Sequence, residues 1–105
     1  MSERALEPEM RLRRRAGVVL RHVAGEHMLV PTMTRIVDLE SLFLLNATGV
    51  AVWEHLNGGE RIGDACQYIA DTFAIDPQAA QADVTAFLAD LLQSNLVEIV
   101  AAHGS

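Results

Sequence analysis

Between Gly17 and Pro31 two runs rich in β-branched and apolar residues, Val18-Val19-Leu20 and Met28-Leu29-Val30, flank the stretch Ala24-Gly25-Glu26. Half-alternating runs on either side of a glycine turn predict a β-hairpin, and Pro31 stops its second strand. Thr34 to Leu39 alternates weakly, Glu40-Ser41 interrupts it, and Leu42-Phe43-Leu44-Leu45 follows with no polar residue. A strand without polar alternation has to be covered on both faces. The pattern leaves open whether residues 32–45 form one bulged strand or two.

From Asn46 onward the apolar spacing lengthens to three and four. Asn46 is placed to cap a first helix whose Val50, Trp53 and Leu56 form one inward stripe, ended by Asn57-Gly58-Gly59. Ile62, Ala65, Ile69 and Phe73 define a second helix, weakened by Gly63 in its first turn. Asp76-Pro77 opens a third with an acidic N-cap and a proline at the first helical position. Its apolar face is Ala80, Val84, Phe87, Leu88, Leu91 and Leu92, and Ser94-Asn95 is a stop with Asn95 in the left-handed region. Leu96 to Val100 reads as a short final strand. Strands first and helices afterwards predict an α+β fold, winged helix-turn-helix-like, over residues 17–100. Residues 1–16 read as a flexible basic arm and 101–105 as a tail.

Composition narrows the function classes. A chain of 105 residues, half of them hydrophobic but only 5% aromatic, has room for one domain with a core of Leu, Val, Ile and Ala. No apolar run approaches the roughly 18 residues of a membrane span, and glutamates among the N-terminal arginines argue against a targeting peptide. A cytoplasmic protein without membrane partners is the expectation. Residues 1–21 hold six arginines and three glutamates, a net +3, whereas the rest holds two arginines against eleven acids, a net −9. An acidic body repels a phosphate backbone, so no nucleic-acid partner is expected despite the winged-helix pattern. The arginines at residues 11–15 read as a solvated run.

Catalytic chemistry finds no support. His22, His27, His55 and His103 lack metal-ligand spacing, although His22 and His27 are placed to meet across the hairpin. Cys66 is single and sits in a helical pattern, as a small buried hydrophobe does. Ser41 and Thr48 have no partnered histidine and acid, and the glycines form no phosphate loop. Asp83 and Asp90 share one side of the third helix; attraction of a basic peptide is one reading, and a solvated face opposite the apolar stripe accounts for them with no function. The expectation is a protein that is not an enzyme and holds no metal or cofactor. Residues 42–45 carry a different signal. At a sheet edge this strand lacks the lysines, prolines and inward charges that block pairing with other chains, and an unguarded edge accepts an added peptide strand. A central, covered position is the alternative.

Leu45-Asn46-Ala47-Thr48-Gly49, Val52-Trp53 and Leu56-Asn57-Gly58-Gly59, followed by Phe73-Ala74-Ile75-Asp76-Pro77, Ala82-Asp83-Val84, Phe87-Leu88, Leu91 and Asn95-Leu96, resemble in order and spacing the PqqD-like peptide chaperones, or RiPP recognition elements. The resemblance covers about Gly17 to Val97. It departs at Ala47, where glutamate is common, and at Arg61, where a capping threonine is common; the extra residues Thr32 to Glu40 are a further departure. It implies an N-terminal antiparallel three-stranded sheet followed by three helices. It also implies a leader-peptide-binding chaperone that presents a ribosomally made precursor to a modifying enzyme, often a radical SAM enzyme. By matching position the leader adds to Ser41, Leu42, Phe43, Leu44 and Leu45, with apolar contacts from Val84, Phe87, Leu88 and Leu91, some of which have to serve as core. A DNA-binding regulator, and a homodimer that uses the same edge only to dimerise, stand as alternatives of other classes.

Overall fold

The computed structural model describes residues 6–32, 43–56 and 59–100. Its elements run β1 (Arg11–Arg14), β2 (Val18–Val23), β3 (Glu26–Pro31), β4 (Phe43–Leu45), α1 (Ala47–His55), β5 (Glu60–Arg61), α2 (Ile62–Phe73), α3 (Pro77–Gln93) and β6 (Val97–Val100). The α+β order expected from the pattern is present, with three helices after a three-stranded antiparallel sheet ordered β2-β3-β4. The weakly alternating residues 34–39, with Ser41 and Leu42, lie outside the described residues.

Val23 pairs with Glu26, so the hairpin loop is only Ala24 and Gly25. Both have positive φ, 53° and 82°, the signature of a type I′ turn, whose twist matches that of the strands it joins. Leu29 stands opposite Leu20 on β2 and Phe43 on β4, and this row faces the core. Leu44 and Met28, paired one residue along, therefore face the other way. Here the expectation of a strand covered on both faces fails: Leu45 is buried, but Leu44 is 61% exposed. Among the described residues β4 pairs only with β3 and so forms the sheet's edge.

Arg11–Arg14, read from the sequence as part of an arm, form the central strand of a second sheet ordered β5-β1-β6. Leu12 is fully buried within it. One apolar residue among arginines carries no period to detect, and the partner strands lie far along the chain. The arginines are tethered as well. Arg13 pairs with Glu98 on β6, while Arg11 Nη1 donates to the Gly59 carbonyl (3.0 Å). Arg14 Nε donates to the Leu56 carbonyl (2.7 Å) at the end of α1, and its guanidinium lies 5.5 Å from the centre of the Trp53 ring. A cation at a helix C-terminus is favoured by the helix dipole.

The segment before β1 resolves the weak start of α2. Arg61, at the N-cap, makes no capping bond with its side chain. The Ile62 N–H instead donates to the Met10 carbonyl and the Gly63 N–H to the Pro8 carbonyl, each at 2.8 Å. A Cβ on Gly63 would stand 3.2 Å from the Pro8 oxygen. Glycine is thus what lets an outside backbone satisfy the orphan donors of the first turn.

Asn46 caps α1 through Oδ1, which accepts from the Gly49 N–H at 2.8 Å. The buried stripe of α1 is Gly49, Val52 and Trp53, followed by Leu56, whereas Val50 is only half-buried. On α2, Ile62, Ala65, Cys66, Ile69 and Ala70 are buried, but Phe73, expected inside, is exposed in the last turn. Asp76 caps α3 by accepting from Gln78 and Ala79. At the far end the Leu96 and Asn95 N–H groups donate to the Leu91 and Leu92 carbonyls, with Asn95 at φ +61°. That double bond is a Schellman stop, and it turns the chain into β6. No helix among the described residues is long and apolar enough to cross a membrane.

Candidate functional site

The expected strand and helix meet through Phe43 and Phe87. Their rings stand edge to face, 6.1 Å between centroids at 69°, a favoured arrangement of ring quadrupoles. Phe87 reaches this position because α1 carries no side chain opposite it. A Cβ on Gly49 would lie 3.2 Å from Phe87 Cζ, 3.3 Å from Asn46 Oδ1 and 3.3 Å from Leu45 Cδ2. Glycine inside a helix costs about 1 kcal/mol relative to alanine. At this position the cost is exchanged for close contact between α1, α3 and the end of β4.

Beside Phe87 the surface opens into a pocket of about 170 Å³, lined by Asn46, Thr48 and Gly49 at the start of α1, Ile69 and Ile75 around the end of α2, and Asp83, Val84 and Phe87 on α3. Val52, Ile69, Ile75, Val84 and Phe87 supply its apolar walls, and Asn46, Thr48 and the exposed Asp83 are polar. The apolar walls suit a hydrophobic side chain, and the few polar groups beside them suit orienting it.

The residues expected to form the site divide accordingly. Phe43, Leu44 and Leu45 lie on the edge strand, and Ser41 and Leu42 fall outside the described residues. Phe87 is half-buried and faces both the strand and the pocket; Val84 lines the pocket although it is 1% exposed. Leu88 and Leu91, expected as contacts, are fully buried in the core. One turn of α3 separates Val84 from Leu88 and Leu91 from Leu88, so the buried three form one stripe and Phe87 stands at its margin. Gly49 and Ile75 are not among the expected site residues, and Asp83, which the sequence assigns to a solvated face or to attraction of a basic peptide, lines the pocket. A glycine inside the first helical pattern signals close approach, whereas Ile75 comes from the α2–α3 connection and had no periodic signal.

The remaining chemistry-bearing groups are elsewhere. His22 and His27 do meet, stacked at 4.2 Å and opposite in register. Among the described residues no group of three or more histidines, cysteines or carboxylates is gathered to hold a metal ion. His55 stacks on Tyr68 at 4.8 Å. Cys66 is buried, and desolvation pushes its thiol above the ordinary value against the opposing hydrogen bond with Thr85. That is the reverse of what activates a nucleophilic thiol.

Comparisons with known proteins bear on the family of the whole fold. The family model described as coenzyme PQQ synthesis protein D (PqqD) matches residues 34–97. No curated protein matches the chain significantly. Among solved structures, the chain is similar to the PqqD truncation of Methylobacterium extorquens PqqCD, a solution NMR structure described as a functional, stand-alone RiPP recognition element. The identity is 27%, the TM-score is 0.69, and 90% of this chain and 95% of that one are covered. It is also similar to TbiB1 in complex with the TbiA(beta) leader peptide, at 26% identity and a TM-score of 0.66, covering 86% of this chain and 99% of that one. Residues 34–97 contain the edge strand β4, all three helices and both rings of the Phe43–Phe87 contact, and on that match the chain belongs to the PqqD family.

Proposed function

We propose that this protein is a recognition element that binds the leader segment of a ribosomally synthesised precursor peptide as an added strand on β4, and presents the precursor to a modifying enzyme. The observation that carries this reading is the position of the sheet edge. Phe43–Leu45 pairs on one side with β3, and the same short strand packs through Phe43 against Phe87 of α3, beside a pocket with apolar walls from Ile69, Ile75 and Val84. Backbone groups at such an edge supply register, and a recess beside it takes an apolar side chain of the peptide. The two similar structures support this reading, one described as a recognition element and the other holding a leader peptide.

No part of this role requires the protein to be a catalyst, and the modification is assigned to the partner enzyme, of the radical SAM class or another. The reading assigns the protein to the cytoplasm, a compartment in which single cysteines are kept reduced. The test is titration of the ¹⁵N-labelled chain with the leader of its precursor. Shifts are expected at Phe43–Leu45 and around Phe87. A leader that binds while shifting only Arg11–Arg15 overturns the assignment.

A further inference from the structure

A strand added to β4 has two faces, and the sheet it joins has apolar residues on both. Facing the core, Phe43 stands in line with Leu29, and beyond it lies Phe87. Facing away, Leu44 stands in line with Met28. Leu44 is 61% exposed, the most exposed of the large hydrophobic residues on the described surface. Exposed faces of antiparallel sheets are normally polar. Lysine is the usual guard of an edge strand, yet the described edge is Phe43-Leu44-Leu45. Leu44 also has no neighbour strand on its outer side among the described residues.

We propose that Leu44 is a specificity-determining residue that reads the outward-facing side chain of the bound peptide, so that the recognised segment carries apolar side chains at two successive positions. This rests on the peptide-binding reading above and deepens it. Successive side chains of a strand point to opposite faces. When one residue of the added strand enters the cleft at Phe43 and Phe87, its sequence neighbour lies on the outer face beside Leu44. Directly opposed residues on adjacent strands have Cβ atoms about 4.5–5.5 Å apart, within contact range of leucine. An apolar neighbour there covers Leu44; a polar one leaves it in water. The Phe43–Phe87 cleft alone asks for alternating apolar residues, and the outer face changes that requirement to an adjacent pair.

The occupant is the peptide itself, because the feature belongs to the strand that accepts it. Exposure is concentrated at the centre of the edge strand, whereas Met28 behind it is half-buried.

The test pans a displayed library of random twelve-residue peptides against the full chain, Leu44→Thr and Phe87→Ala. Threonine keeps the strand preference at an exposed position, and unchanged circular dichroism and melting verify the fold. The wild type is expected to enrich peptides with adjacent apolar residues, and Leu44→Thr peptides with alternating ones. For the strongest wild-type peptide, Leu44→Thr should weaken binding about three- to tenfold. Replacing the peptide's outward apolar residue by serine should remove that difference. If the two substitutions act independently while Phe87→Ala still abolishes binding, the outward reading is wrong and the cleft reading survives. If no peptide is enriched by the wild type, the cleft reading fails and takes this inference with it. If Leu44→Thr changes only a concentration-dependent dimer and leaves peptide affinity alone, Leu44 is a contact between copies and the proposal is overturned.

Discussion

Gly49 on α1 and Phe87 on α3 are coupled by the absence of a side chain: a Cβ added to the glycine would stand 3.2 Å from the ring's Cζ, on the same side as Leu45 and Asn46. The ring that meets Phe43 at the sheet edge is therefore seated by a residue on a different helix.

Gly49→Ala is expected to destabilise the protein although alanine favours helix by about 1 kcal/mol. The new methyl meets three neighbours at 3.2–3.3 Å, one of them the capping oxygen of Asn46, and overpacking of this kind costs about 1–3 kcal/mol. Urea unfolding reads the net loss, and the Phe87 ring resonances should shift with it. A gain in stability with unmoved ring signals would show that the contact is looser than described.

The α2 start offers a second test, because it is capped by residues from outside the helix. Gly63→Val places a branched side chain against the Pro8 carbonyl, where even a Cβ would be 3.2 Å away. The Pro8–Met10 segment should lift, leaving the Ile62 and Gly63-position N–H groups without partners at a cost of about 1–3 kcal/mol. Hydrogen exchange at those two amides should accelerate far more than at the centre of α3. Unaltered protection there would mean that the two carbonyl bonds do not hold the helix start.

The hairpin turn should be improvable. Ala24 sits at φ 53° ahead of Gly25 at 82°, and a residue other than glycine, asparagine or aspartate is disfavoured by about 1–2 kcal/mol in that region. Ala24→Asn creates the Asn-Gly pair favoured by type I′ turns. We expect about 0.5–1 kcal/mol of added stability, a melting temperature about 2–8 °C higher, and unchanged peptide binding. A lower melting temperature would reject the turn assignment.

Cys66 sets an alkaline dependence. Burial, partly opposed by the Thr85 hydrogen bond, raises its thiol above the unfolded value. The stabilising neutral form is fully present below the unfolded pKa of about 8.5. Stability is lost as the pH rises from there through the folded value, because the unfolded chain releases the proton first. Unfolding followed from pH 7 to 10 should show a steeper fall in the wild type than in Cys66→Ala. The native thiol should also react slowly with a disulfide reagent until the protein is unfolded. Rapid reaction of the folded protein would contradict the burial.

Several elements were legible because their signals are local. Asn46 and Asp76 cap α1 and α3, Asn95 takes the left-handed stop, and the hairpin turns at Ala24-Gly25. A cap or turn is decided by a few successive residues and their own backbone. The motif from Leu45 to Leu96 likewise resembled the family to which the chain belongs.

Tertiary structure alone decided the rest, where a residue's partner is distant in sequence. The strand at Arg11–Arg14 exists because Glu60–Arg61 and Val97–Val100 arrive on either side of it, and no local pattern among four residues with one leucine records that. The third helix shows the same limit: apolar periodicity marked Val84, Phe87, Leu88 and Leu91 as one face, but only packing buried Leu88 and Leu91 and left Phe87 beside Phe43. Sequence determined that these side chains avoid water. Which neighbour removes them from it depends on how separate elements meet, and for Leu44 the sheet leaves that neighbour's place open among the described residues.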